Sequence, residues 1–177
     1  MSKKLTPPVS EKDHYQGPAN APLVLVEYGD YQCPHCGRAY PIIKHIQSKL
    51  GKELKFVFRN FPLSEAHPQA FAAAVAAEAA DRQGAFWKMH DYLFEYQSRL
   101  PLEPFEAFAK ALGLDSERLI HDMQDPALST KVDADFDSGL HSGVNGTPTF
   151  FINGKRYDDS WDEDTLLTHL QQLVVKH

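Results

Sequence analysis

Two cysteines, Cys33 and Cys36, stand three positions apart in the tetrapeptide Cys33-Pro34-His35-Cys36, and the chain has no others. Two sulfurs at i and i+3 on the first turn of a helix share a face, near enough to close a small disulfide ring and reopen it. Being first, Cys33 falls where unpaired backbone N–H groups and the positive end of the helix dipole favour a thiolate. Pro34 lacks the N–H that a first turn leaves surplus, and His35 can set positive charge beside the sulfur. Such a setting favours the thiolate by roughly 3 to 7 kcal/mol over an ordinary cysteine. Because ~30 mV corresponds to about 1.4 kcal/mol for a two-electron couple, this is enough to make the pair a strong oxidant. The chemistry these residues predict is thiol–disulfide exchange, with Cys33 the attacked or attacking sulfur and Cys36 the one that leaves or resolves.

Other uses of the pair are weaker. A structural zinc site needs a second pair of ligands, and none of the nine histidines is spaced to supply it, so no metal is expected. Glu27 lies in an otherwise apolar run six residues before Cys33, where a buried carboxylate can accept or supply the proton that Cys36 exchanges. Its plain reading is an edge or paired carboxylate, and Arg59 is read as balancing Glu27 or facing solvent. Asp30 and Gln32 flank the tetrapeptide, but polar residues in a strand-to-helix turn need no special role. His90 and His141 read as structural, and Phe86, Trp87, Tyr92, Phe94 and Tyr96, at helical spacing, as core.

The elements that must hold this tetrapeptide follow from periodicity. Leu23 to Tyr28 is a nearly continuous apolar run ending at Gly29-Asp30, the pattern of a strand covered on both faces. From Pro34 to Leu50 the spacing of Ile43, Ile46 and Leu50 predicts a helix closed by Gly51, with a bend at Pro41. Leu54 to Phe61 predicts a second strand. Past Pro62 the period becomes helical: His67–Gln83, Ala85–Ser98 with Gln97 on its apolar stripe, a segment around Phe105–Leu112, another around Leu119–Met123, and a helix opened by Asp125-Pro126. Strand character returns at Thr149–Ile152 and Lys155–Tyr157 around an Asn153-Gly154 hairpin turn. Ser160-Trp161-Asp162-Glu163 has the form of a capping box for a last helix with Leu166, Leu167, Leu170, Leu173 and Val174 on its buried side. The outline is βαβ, a helical insertion, then ββα: an extended lead-in over 1–22, an α/β domain from 23–63 and 140–177, and an inserted all-helical subdomain over 64–139.

Composition agrees with a folded protein. The 177 residues are 42% hydrophobic and 24% charged, which excludes wholesale disorder and low-complexity architecture. Acids exceed bases by six, so neither nucleic acid nor an anionic membrane surface is an expected partner. The longest apolar stretch, Ala70 to Ala80, is alanine-rich, includes Glu78 and is too short to span a bilayer, so no membrane insertion is expected. The N-terminus has a basic start without an apolar signal core, so a cytoplasmic location is expected. A reducing cytosol would keep the pair mostly as thiols, favouring reductase, isomerase or sensing use.

The sequence resembles the DsbA-like branch of the thioredoxin superfamily. The resemblance is carried by Val26 to Cys36, by Phe58-Arg59-Asn60-Phe61-Pro62-Leu63 with His67-Pro68, by Gly84-Ala85-Phe86-Trp87, and by Val144 to Gly154, and it covers nearly the whole chain. It implies a thioredoxin-like α/β fold with a helical insertion, a nucleophilic Cys33, a resolving Cys36, a buried acid at Glu27, and a cis bond between Thr147 and Pro148 in a substrate-pairing loop. The function then expected is a protein disulfide oxidoreductase acting on protein or peptide thiols and disulfides, with an unidentified recycling partner and no cofactor. The alternative is a non-catalytic peptide-binding or holdase module with a vestigial Cys-x-x-Cys.

Overall fold

The structure, a computed structural model, describes residues 4–175. Within the lead-in, His14–Gln16 forms a short strand, β1, at one edge of a five-stranded sheet. Leu23–Gly29 is β2, buried along nearly its whole length, and it takes the central place that its unbroken apolar run predicts. Helix α1, Pro34–Leu50, follows, and then β3, Leu54–Asn60, buried throughout. Helix α1 runs through Pro41 without interruption and buries Ala39, Ile43, Ile46 and Leu50 along one stripe. Gly51, at φ +52°, takes the left-handed conformation that ends it.

Five helices come next: α2 (Ala70–Asp81), α3 (Phe86–Glu95), α4 (Phe105–Ala111), α5 (Ser116–Met123) and α6 (Pro126–His141). Alanines let α2 bury almost every side, and it packs on α3, α4 and α5. Its one buried charge, Glu78, accepts from Asn60 Nδ2 at 3.0 Å, and the same amide donates to Asp135 of α6 at 2.9 Å. Burial holds the Asp135 carboxyl above the usual carboxylate range, opposed by Lys131 at 2.8 Å. Helix α6 opens as predicted, with Asp125 Oδ1 accepting from Ala127 N at 2.9 Å.

The chain then returns to the sheet in β4 (Thr149–Ile152) and β5 (Lys155–Tyr157). Asn153 and Gly154 both have positive φ, 49° and 85°, as a two-residue hairpin with right-handed strand twist needs. Strand order is β1-β3-β2-β4-β5; β2 pairs antiparallel with β4, placing Glu27 opposite Phe150 and Tyr28 opposite Thr149. Helix α7, Glu163–Val175, buries Leu166 and Leu170. Its cap differs from the expected box: Asp162 Oδ2, not Ser160, accepts from Thr165 N at 3.0 Å, and Ser160 Oγ instead donates to Asp162.

Arg59 also differs from expectation. It is buried in β3 and forks onto Asp13 of the lead-in at 2.8 and 3.0 Å, with Nη1 donating to Tyr28 Oη at 2.9 Å. Burial alone would lower its pKa; the hydrogen bonds and charges of Asp13 and Tyr28 together outweigh that and hold it above the ordinary arginine value.

The chain forms two compact units. One comprises Met1–Gly29, Arg38–Arg59 and Ser138–His177, and holds the sheet; the other comprises Asp30–Gly37 and Asn60–Asp137, and holds most of the helices.

Candidate functional site

The Cys33-Pro34-His35-Cys36 turn belongs to the second unit. Pro34 opens α1, so Cys33 stands at its N-terminal mouth and Cys36 lies within the first turn. Both cysteines are buried, at 3% and 1% exposure, while Pro34 and His35 between them are exposed. The helix begins here because Asp30 organises the preceding turn. Its backbone carbonyl and its Oδ1 accept from Cys33 N at 3.1 and 3.2 Å, and Oδ1 also accepts from Gln32 N at 2.8 Å. Its other oxygen, Oδ2, accepts from Leu63 N at 2.9 Å and lies 2.8 Å from His67 Nδ1. A carboxylate this buried is tolerable only when its lone pairs are used, and here both oxygens are.

Three further side chains brace the turn. Gln32 Oε1 accepts from Gln69 N at 2.7 Å. The Tyr31 hydroxyl lies 3.0 Å from His90 Nδ1, in an aromatic nest with Phe94 and Trp87. Gln97 Nε2 donates to the carbonyls of Tyr31 and Cys33, each at 2.8 Å. Sequence periodicity places Gln97 on the α3 stripe, but the helix ends at Glu95. Tyr96 leaves helical geometry at φ −116°, ψ 36°, and a 3-10 turn over Gln97–Arg99 sends the amide to the cysteine turn. His90 is structural as expected, buried and engaged with Tyr31. Of the aromatics read as core, Phe86 and Phe94 are buried, whereas Tyr96 is exposed.

The remaining site candidates lie in the sheet unit. Glu27 is 3% exposed in β2, and its Oε2 occupies space that a side chain at Gly29 would enter, 2.8 Å from an ideal Cβ there. Phe58 closes the same space at 2.5 Å, so a side chain at position 29 would have to displace Phe58 and Glu27. Thr147 and Pro148 directly precede β4, and the peptide bond joining them is cis. Pro148 lines an open groove with Val144, Asn145, Tyr157, Asp159 and Trp161. Among the described residues no cluster of three or more His, Cys, Asp and Glu side chains is placed to hold a metal ion.

Asp30 and His67 acquire their importance only from the fold. His67 sits 37 residues from Asp30, and a polar residue three or four before a helix carries no sign of what it caps.

A family model described as "Thioredoxin" matches residues 9–172. Among solved structures, oxidised BdbD from Bacillus subtilis superposes with a TM-score of 0.83 at 25% identity, covering 98% of this chain and 97% of that one. Pseudomonas aeruginosa DsbA2 gives 0.73 at 26% identity, covering 91% and 94%. Among curated proteins, the Na(+)/H(+) antiporter NhaA 1 of Mycobacterium sp. (strain KMS) is 43% identical over 163 residues, covering 91% of this chain and 27% of that protein. The same-named protein of Salinispora arenicola is 40% identical over 162 residues, 92% of this chain and 25% of its own length. The chain thus spans about a quarter of the length of the curated relatives it matches. With a family match over almost the full chain, an α/β sheet interrupted by packed helices, and DsbA-type structures superposing end to end, the chain belongs to the thioredoxin family and is one of its DsbA-like members.

Proposed function

We propose that the protein is a thiol–disulfide oxidoreductase that exchanges a Cys33–Cys36 disulfide with cysteines of protein or peptide substrates. The observation that carries this reading is the placement of Cys33 at the mouth of α1 with Cys36 in the same turn, behind the exposed Pro34 and His35. In the oxidising direction a substrate thiolate attacks the Cys33 sulfur. The Cys33–Cys36 bond breaks, Cys36 leaves as a thiolate, and a substrate–Cys33 disulfide forms. A second substrate thiolate then attacks the substrate sulfur of that bond and expels Cys33 as a thiolate. Two electrons pass from substrate to the cysteine pair, and the reverse sequence reduces a substrate disulfide. His35 sets positive charge beside Cys33, Pro34 keeps the first turn free of a surplus donor, and Glu27 relays the proton of Cys36. The loop at Thr147 and Pro148 pairs with the substrate backbone, and Tyr157 and Trp161 give its flanking side chains an apolar surface.

The antiporter name of the curated relatives does not redirect this reading. The likeness covers about a quarter of those proteins, and no helix among the described residues is long and apolar enough to cross a membrane.

The test is insulin reduction together with oxidation of a reduced model protein. Cys33→Ser abolishes both, and Cys36→Ser accumulates a Cys33-linked mixed disulfide that reducing agent releases. Wild-type protein that binds clients yet exchanges no disulfide would overturn the reading in favour of a binding module.

A further inference from the structure

We propose that Gln97 is a positioning residue for Cys33, clamping the backbone on both sides of the nucleophile; the role presupposes thiol–disulfide exchange at that sulfur. Both hydrogens of the Gln97 amide are spent on the same turn, one on the Tyr31 carbonyl and one on the Cys33 carbonyl, each at 2.8 Å. Reversed, the amide would set its oxygen against two carbonyl oxygens, so the acceptors dictate its orientation. The Cys33 carbonyl also takes the N–H of Gly37 at 3.0 Å, the first bond of the α1 ladder. From the other side Asp30 Oδ1 holds the N–H groups of Gln32 and Cys33. The peptide group between Tyr31 and Gln32 is therefore fixed at both ends, that between Gln32 and Cys33 through its N–H, and that between Cys33 and Pro34 through its carbonyl. None of the three can rotate without breaking a bond to Gln97 or Asp30, so the sulfur is held in register with the helix mouth.

An independent feature points to the same clamp. A Cβ at Gly37 would fall 2.5 Å from Gln97 Oε1 and 3.2 Å from its Cδ. Gly37 lies inside α1, so the missing side chain serves to admit Gln97 and not to relax the backbone. The residue immediately after the Cys-x-x-Cys is thus small because a residue 60 positions later must reach past it.

These two residues define a double-mutant cycle read by three measurements on the full chain: thiolate absorbance against pH, the rate of exchange with glutathione disulfide, and the thermal midpoint. Gln97→Ala slows exchange about tenfold and moves the thiolate titration to higher pH. Gln97→Glu, equal in shape but presenting acceptors to two carbonyls, moves the titration further. Gly37→Ala reproduces Gln97→Ala by displacing the amide, even though alanine is the better helix former. The Gly37→Ala/Gln97→Ala double variant is no worse than Gln97→Ala alone, because the shortened side chain leaves the new methyl room. The proposal falls if Gly37→Ala titrates and reacts like wild type, if the two single effects add, or if Gln97→Ala lowers only the thermal midpoint. Wild-type protein inert toward disulfides would sink the exchange reading instead, and the thiolate titration would still decide the clamp.

Discussion

Asp30 is the side chain on which the geometry of the cysteine turn converges. One carboxylate answers three backbone N–H groups, from Gln32, Cys33 and Leu63, and contacts the imidazole of His67. Removing it strands buried donors, each worth ~1–3 kcal/mol, so Asp30→Ala is expected to cost about 3 kcal/mol or more in urea unfolding. Asp30→Asn keeps a single carbonyl acceptor and cannot serve both the Cys33 side and the Leu63 side. It is therefore expected to retain part of the stability while exchange at Cys33 slows, which stopped-flow fluorescence during reduction would show. At this scale the sequence displays the candidate cysteines and hides what holds them. Cys33 and Cys36 announce themselves by type and spacing, whereas Asp30, His67 and Gln97 are ordinary polar residues until the fold gathers them.

Helix ends behave differently from one another. The Asp162 carboxyl at the start of α7 is held below the usual carboxylate range, chiefly by the Ser160 hydroxyl and then by Thr165 N–H. A carboxylate so held stabilises the fold above its unfolded pKa of ~3.9 and loses that contribution as pH falls through the lower folded value. Asp162→Ala is thus expected to lower the thermal midpoint at neutral pH, with the gap to wild type steady down to about pH 4 and closing below it. Ser160→Ala is expected to lower it less, because the Thr165 bond to Asp162 survives. The sequence alone could not choose between these caps, since Ser160 and Asp162 are both good N-cap residues. Where the signal is unambiguous, as with Pro34, Gly51 and the stripe between them, the bounds of α1 are legible from composition and spacing. The end of α3 was not legible: Tyr96, Gln97 and Ser98 continue the helical pattern, and only the backbone angles at Tyr96 break it.

Across the molecule, the segment before β2 does more than lead in. Asp13 neutralises Arg59 deep in β3, a fork–fork pair with both side chains largely out of water. Breaking such a pair leaves a buried charge uncompensated, so Asp13→Ala is expected to cost about 3–5 kcal/mol. Chemical denaturation of Asp13→Ala beside an Asp13→Ala/Arg59→Met double variant checks this, the second change restoring part of the loss. Asp30–Gly37 clusters with Asn60–Asp137, although its neighbours in sequence are a sheet strand and the remainder of α1. The cysteine tetrapeptide and the helical insertion therefore pack as one unit. A chimaera that imports the insertion from a relative would give the native cysteine turn foreign counterparts of Leu63, His67 and Gln97, the residues that hydrogen-bond it. Grafting Cys-Pro-His-Cys alone into another scaffold would transplant the letters and leave behind the side chains that hold them.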